Sequence, residues 1–397
     1  MFFLVILFTP RAFEILPVFS SIYTKMFPIH CLVFLIAIIM SATVSFKNLK
    51  NIITIGAFAF ILSGVIVAVL HGGDYKLLFR AAIHLLAVLV LVSYELYRKD
   101  NCFLEACAWY FTVMILINLA FLILKPEGIS TLETYSADGQ FRQIDRMNFL
   151  EVDNRLSLPS LLAIATAYLL PDKKINKILR VTALIAGGAT NLLTMSGTGI
   201  GSYFVMLIYV VFIYKTKIRE KLINVKTLLL AYVFCMFLIV YAGLIPPLAH
   251  VIQEVLHKDL TFSGRTYIWE MCLGMISRHP IIGYGNFDNG WIIMWHGINR
   301  NAHNLFFDIL IQGGIVLLLG YLTMVFTVLK TISGNKDKKS GLLLVLLFCL
   351  FVVMLCESFL DNNYIFLAFS LALVCKYNNS GKQKLLELLK KKLKLKA

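Results

Sequence analysis

The feature that most constrains this chain is a succession of apolar runs, most of them close to twenty residues long, that recurs from one end to the other. A helix needs about 20 mostly apolar residues to cross a bilayer. Hydrophobic residues make up 59% of the chain and charged residues 15%, against about 45–50% and 25% in soluble domains. A water-soluble globule is excluded. The sequence predicts an all-α polytopic membrane protein, a single integral membrane domain over residues 1–397 with about twelve transmembrane helices.

The runs fall near 3–23, 29–46, 52–70, 77–97, 103–124, 156–171, 179–195, 197–214, 227–245, 305–329, 341–356 and 359–375. The first is interrupted by Pro10, Arg11, Glu14 and Pro17. It lacks the basic start and small-residue cleavage site of a signal peptide and is read as a span. The net charge of +15 would suit nucleic acid if it lay on one face. Instead the lysines and arginines sit in short clusters between apolar runs, so no nucleic-acid partner is expected.

Alternate loops carry very different charge. The set formed by 47–51, 98–100, 172–180, 215–226, 330–339 and the tail from 376 holds 25 of the 37 lysines and arginines. The positive-inside rule makes that side cytoplasmic, with both termini inside. The tail, 376–397, reads equally as a basic helix on the anionic inner leaflet or as a solvated lysine segment. The eight cysteines lie mostly inside apolar runs with no CxxC pair, which reads as small buried hydrophobes.

Two loops on the outer side are long, 125–155 and 246–304. The second carries five of the eight histidines, His250, His257, His279, His296 and His303. Long loops in compact proteins are usually functional or disordered. This one is rich in Trp, Ile, Gly and Tyr, which argues against disorder and places any chemistry outside. No internal repeat relates the two halves, and the absence of broken, Gly- or Pro-interrupted repeats counts against a transporter.

Within the second loop, Tyr267, Ile268, Met271, Cys272 and Met275 have the spacing of an amphipathic helix with short helical neighbours. Pro280 and Gly283-Tyr284-Gly285 end it. Ala302-His303-Asn304 then opens a long apolar run, so His303 stands at the outer mouth of a helix beside Arg300 and within chain reach of Arg265. Arginine forks match phosphate oxygens and stay charged, and a histidine near neutrality accepts a proton from a hydroxyl. The plainer alternative is arginines meeting lipid headgroups and His303 capping a helix.

Arg142, Arg146 and Arg155 form a second basic set in the first outer loop. Arg80 and His84 lie one turn apart near the outer end of the fourth run, where snorkelling explains Arg80 and a hydrogen-bonded structural role suits His84. Acidic residues on the outer side are Glu151, Asp153, Glu254, Asp259, Glu270, Asp288, Glu357 and Asp361. Those loops lack Asp-x-Asp, and the chain has neither HExxH nor G-x-S-x-G. Glu254-x-x-His257 stands alone, so no metal and no cofactor is expected.

Gly264-Arg265, Trp269, His279-Pro280, Gly283-x-Gly285 and His303-Asn304, followed after nine residues by Gly314, resemble the bacterial O-antigen ligase and polymerase superfamily. Asp153-Asn154-Arg155-Leu156-Ser157 is similar to the family's arginine at the start of a mid-chain span, and Phe79-Arg80-Ala81-x-x-His84 to a pattern of some ligases. Thr194-Met195-Ser196-Gly197-Thr198 falls where many members have Ser-Arg-Thr, with Gly197 in place of the arginine.

The resemblance implies a glycosyltransferase of the bacterial cytoplasmic (inner) membrane, acting on its outer face without a metal. The donor would be a glycan on undecaprenyl pyrophosphate, and the acceptor a sugar hydroxyl of another repeat unit or of lipid A-core. His303 and Arg265 would be catalytic, and Arg155, Arg265, Arg300 and Arg80 would bind pyrophosphate. His84, Asn304, Trp269 and Gly285 would support them. Membrane lipids, a flippase and a chain-length regulator would be the partners. A polymerase of O-antigen or capsule repeat units is the leading expectation, an O-antigen ligase the alternative, and a flippase or other transporter the least favoured.

Overall fold

The computed structural model describes residues 2–17, 26–42, 52–71, 75–98, 102–135, 141–241, 250, 265–285, 293–295, 298–300, 302–334, 337–358 and 362–375. The expected tail, 376–397, and residues 251–264 of the second outer loop lie outside these. The helices are α1 Phe2–Leu7, α2 Ala12–Ile15, α3 Met26–Ala42, α4 Ile52–His71, α5 Tyr75–Arg98, α6 Cys102–Leu124, α7 Ser157–Leu169, α8 Lys174–Leu193 and α9 Gly197–Ile208. They continue with α10 Arg219–Leu222, α11 Val225–Tyr241, α12 Arg265–Arg278, α13 Leu305–Ser333, α14 Lys338–Val353 and α15 Asn363–Leu371.

Among the described residues, α4, α6 and α13 are long and apolar enough to cross a membrane by length and composition. Shorter apolar stretches run over Ala81–Tyr94, Gly197–Ile213, Val225–Ile239 and Asn363–Cys375. These seven fall on seven of the twelve expected runs. The protein is therefore a helical membrane protein.

The centre of the bundle is α7. All but one of its 13 residues are buried, and at 1.5 Å per residue it is only about 20 Å long. It packs against α6, α8, α14 and α15, with Gly187 of α8 seated on Ser160. A second close pairing joins α4 to α13. Gly56 meets Thr327 and Met324, and Gly320 meets Ser63 and Ala59. Small residues at these crossings let two backbones approach closely where lipid offers no hydrophobic drive.

The first expected run differs from a simple span. Helix α1 stops at Leu7, and the carbonyls freed there are taken by side chains from three other helices. His30 Nε2 lies 2.8 Å from Ile6 O, Asn363 donates to Leu7 O at 2.6 Å and Tyr110 donates to Phe8 O. Arg11 and Ala12 N–H then donate to Leu150 and Phe149 O, tying this segment to the first outer loop. Pro10, which cannot donate to a helix, explains the break.

The outer loops also hold two hairpins that the helical reading did not anticipate. Strand β1 Ser130–Tyr135 pairs antiparallel with β2 Phe141–Met147, and β3 Ile293–Trp295 with β4 Ile298–Arg300.

Candidate functional site

The site begins with a break in α13. Gly314 has φ +58° and ψ −155° inside the helix, which frees backbone groups that must find partners away from water. The turn after α12 supplies them. Tyr284 and Gly285 N–H donate to Ile311 and Gln312 O, while Ile315 and Val316 N–H donate to Pro280 and Ile281 O, at 2.8–3.1 Å. A Cβ on Gly314 would stand 2.3 Å from the Ile281 carbonyl carbon, and one on Gly283 2.5 Å from Ile311 O. The glycines thus let one backbone nest into another, and the outer loop is clasped onto the broken helix. Gly285 also lies against His71 at the end of α4.

Eleven residues before Gly314, the chain enters α13 through His303, whose φ of +46° is one of two positive values on non-glycine residues among those described. Such a conformation is strained and persists where neighbours hold it. On its N-terminal side, Ala302 N–H donates to Asp308 Oδ1 at 3.2 Å and Ala302 O accepts from Trp269 Nε1 at 3.1 Å. On its C-terminal side, Asn304 Oδ1 accepts from Phe306 and Phe307 N–H, an N-cap in form. Asn304 Nδ2 also donates to Leu355 O at 3.1 Å, and Leu305 N–H to Met354 O at 3.1 Å. Asn304 is therefore a helix cap and a tether to the end of α14.

That tether brings Glu357 to the histidine. Glu357 Oε1 accepts from Arg265 Nη2 at 2.9 Å and lies 3.3 Å from His303 Nδ1. The carboxylate side chain is 5% exposed, whereas Arg265 and His303 are 16% and 24% exposed. Burial acts to raise the Glu357 pKa, but the His303, Arg265 and Arg155 side chains outweigh it and hold the carboxyl below the ordinary range. The carboxylate accepts from Nδ1 and so orients the imidazole ring.

The structure therefore joins Arg265, His303, Asn304, Trp269 and Glu357, with Arg155 within electrostatic reach. Sequence reasoning named Glu357 among the outer acids without giving it a role, and it passed over Asp308. The available signal was position, since a lone carboxylate at the end of an apolar run is costly unless paired. Arg146 is engaged elsewhere, with Asp153 at 2.9 Å and with Pro126 and Leu193 O.

His84 is buried on α5 with Nε2 2.7 Å from His30 Nδ1, a hydrogen-bonded arrangement that continues to the freed Ile6 carbonyl. The backbones of Arg80 and Arg300 lie in α5 and β4, and the side chains of these two and of Arg142 fall outside the described residues. Gly197, in place of an arginine, opens α9 behind the Ser196 cap. Met195 before it is the other non-glycine residue with positive φ, +51°.

Among curated proteins none matches this chain. A family model described as O-Antigen ligase (Wzy_C) matches residues 182–322, a stretch containing Arg265, His303 and the Gly314 break but neither Arg155 nor Glu357. The match covers about a third of the chain, and that stretch, with its clasped loop and histidine, is similar to the O-antigen ligase family.

Proposed function

We propose that the protein is a glycosyltransferase that polymerises undecaprenyl-pyrophosphate-linked oligosaccharide repeat units of an O-antigen or capsule at the outer face of the bacterial cytoplasmic membrane. The observation that carries the proposal is the placement of Arg265 and His303 on one buried carboxylate at the mouth of α13. In the proposed step, an acceptor sugar hydroxyl attacks the anomeric carbon of the donor. Its proton passes to His303 Nε2 as the new glycosidic bond forms. The bond from the anomeric carbon to the phosphate oxygen breaks, and undecaprenyl pyrophosphate leaves with the electron pair. Negative charge grows on that leaving group, where Arg265 and Arg155 stabilise it, with Arg300 and Arg80 as further contacts. Arginines rather than a divalent cation take this role, and a single displacement inverts the anomeric centre.

A second reading, ligation of the glycan to lipid A-core, is favoured by the description of the matching family. It uses the same donor chemistry and a different acceptor. The two separate in one experiment. Deletion of the gene in its own host, followed by gel analysis of surface and lipid-linked glycan, yields single repeat units on the normal surface anchor if polymerisation is lost. Long chains retained on the carrier establish ligation instead. Unchanged glycan in both pools removes both readings.

A further inference from the structure

We propose that Arg146 and Asp153 are positioning residues for Arg155, holding the turn that presents it to the donor. The inference rests on the proposed role of Arg155 in binding pyrophosphate. In sequence alone Arg146 and Arg155 look alike, two arginines nine residues apart in one outer loop. Their surroundings differ. All three guanidinium nitrogens of Arg146 have fixed acceptors, namely Asp153 Oδ2 at 2.9 Å, Pro126 O at 2.8 Å and Leu193 O at 3.3 Å.

Two of those acceptors sit at helix ends. Leu193 is the last residue of α8, and Pro126 follows the end of α6 by two residues. Both helices finish at the outer side with their carbonyl ends, where a cation is favoured. Asp153 balances the charge, and its other oxygen accepts from Asn148 Nδ2 at 2.7 Å. Arg146 is thus a charge-paired tie among α6, α8 and the loop, with each guanidinium nitrogen on an acceptor of the protein.

The tie acts at a useful place. Asp153 opens the short 3-10 turn Asp153–Arg155, which ends on Arg155 and leads straight into α7. Arg155 N–H donates to Val152 O at 2.9 Å, Asn148 N–H to Glu151 O at 3.1 Å, and Met147 bridges to Val152. Loss of the tie leaves α7 held by its own buried contacts but releases the turn in front of it. Misplacing a binding group by about 1 Å costs up to about 10²-fold in rate, so a side chain that touches no substrate gains leverage here.

The test uses full-length protein in proteoliposomes with a short polyprenyl-pyrophosphate-linked repeat unit as both donor and acceptor. kcat and KM for the lipid-linked repeat are measured for Arg155→Ala, Arg146→Ala, Arg146→Lys, Asp153→Asn and the double Arg146→Ala/Arg155→Ala. Arg155→Ala is expected to lower kcat/KM by about tenfold or more, and Arg146→Ala by about three- to tenfold. The double variant should be no worse than Arg155→Ala within about twofold, because residues acting through one another are not additive. Arg146→Lys keeps the charge but lacks the fork, and is expected not to rescue.

Should Arg146→Ala fail to insert, the near-isosteric Asp153→Asn carries the same expectation. Multiplying losses in the double variant, or a loss that only tracks the amount of folded protein, overturns the inference. An unchanged kcat/KM in Arg155→Ala overturns the reading on which it rests.

Discussion

Arg180 and Arg265 are both arginines paired with a carboxylate at the edge of one helical bundle, on opposite sides in the expected topology. On the cytoplasmic side the arginine is the buried partner. Arg180 is 7% exposed, donates to Ala167, Leu170 and Pro171 O, pairs with Asp172 and lies over the Tyr168 ring. Its carboxylate stands in solvent. On the outer side the order is reversed. Glu357 is buried, Arg265 and His303 sit at the rim, and among the described residues Glu357 alone accepts from Arg265. The first arrangement is saturated and ties off the end of α7. The second sets an arginine and a histidine, both part-exposed, on a single buried carboxylate.

If that contrast is functional, the largest effect comes from the two residues paired with Glu357. His303→Ala and Arg265→Ala are each expected to lower turnover by about 10²–10⁴-fold, the range for losing a general base or a transition-state donor. Arg180→Ala should reduce the amount of folded protein while sparing the activity of each inserted molecule. Turnover normalised to membrane-extracted protein checks both. Equal behaviour of Arg180→Ala and Arg265→Ala breaks the comparison.

Glu357→Gln sharpens it. The amide keeps the volume but removes the charge that orients His303, so turnover should fall by at least about tenfold while the protein still inserts. The pH dependence has a definite sign. The folded-state pKa of Glu357 is lowered, so its stabilisation is fully present above the ordinary carboxylate value, about 4.3. It is lost as pH falls from there through the lower folded pKa. Thermal unfolding followed from pH 7 downward should show a decline in wild type beginning near that value, and a smaller one in Glu357→Gln. Glu357 should contribute no limb to activity between about pH 5 and 9.

A third effect concerns the scaffold alone. Gly314→Ala forces an L side chain into φ +58° and against the Ile281 backbone. The strain is about 1–3 kcal/mol from the dihedral, before any clash is relieved. Unfolding temperature and protease sensitivity of the segment after α12 should both report it. Activity then falls because the clasped loop carries Arg265 toward Glu357.

Much of this was legible in sequence, and the limits are physical. Apolar run length located seven apolar helices among the described residues, because a bilayer imposes a fixed thickness. The motif at His303-Asn304 and Gly314 singled out this segment, and Arg265 and His303 share one carboxylate. Their meeting point was not legible. Glu357 is 54 residues beyond His303, and its approach depends on a cap that also grips α14 and on a helix break. Neither has a local period. Arg146 and Arg155 could not be told apart, since only the positions of the α6 and α8 carbonyl ends show what holds Arg146.

The smallest expected effect lies on the cytoplasmic side and tests whether its carboxylate is dispensable. Asp172 is 68% exposed in its side chain, and its pKa is lowered by the hydrogen bond to Arg180 and by the charge of that residue. Asp172→Asn leaves Arg180 its carbonyl acceptors and the Tyr168 ring. An exposed partner of this kind contributes about 0–1 kcal/mol, so the unfolding temperature at pH 7 should barely move and turnover should not change. A large loss would mean that the buried arginine depends on its solvent-facing carboxylate, and that the two sides of the bundle handle charge alike. A small one leaves the asymmetry standing, with carbonyls sufficient to hold an arginine inside, and a carboxylate indispensable only where cations must be aimed outward.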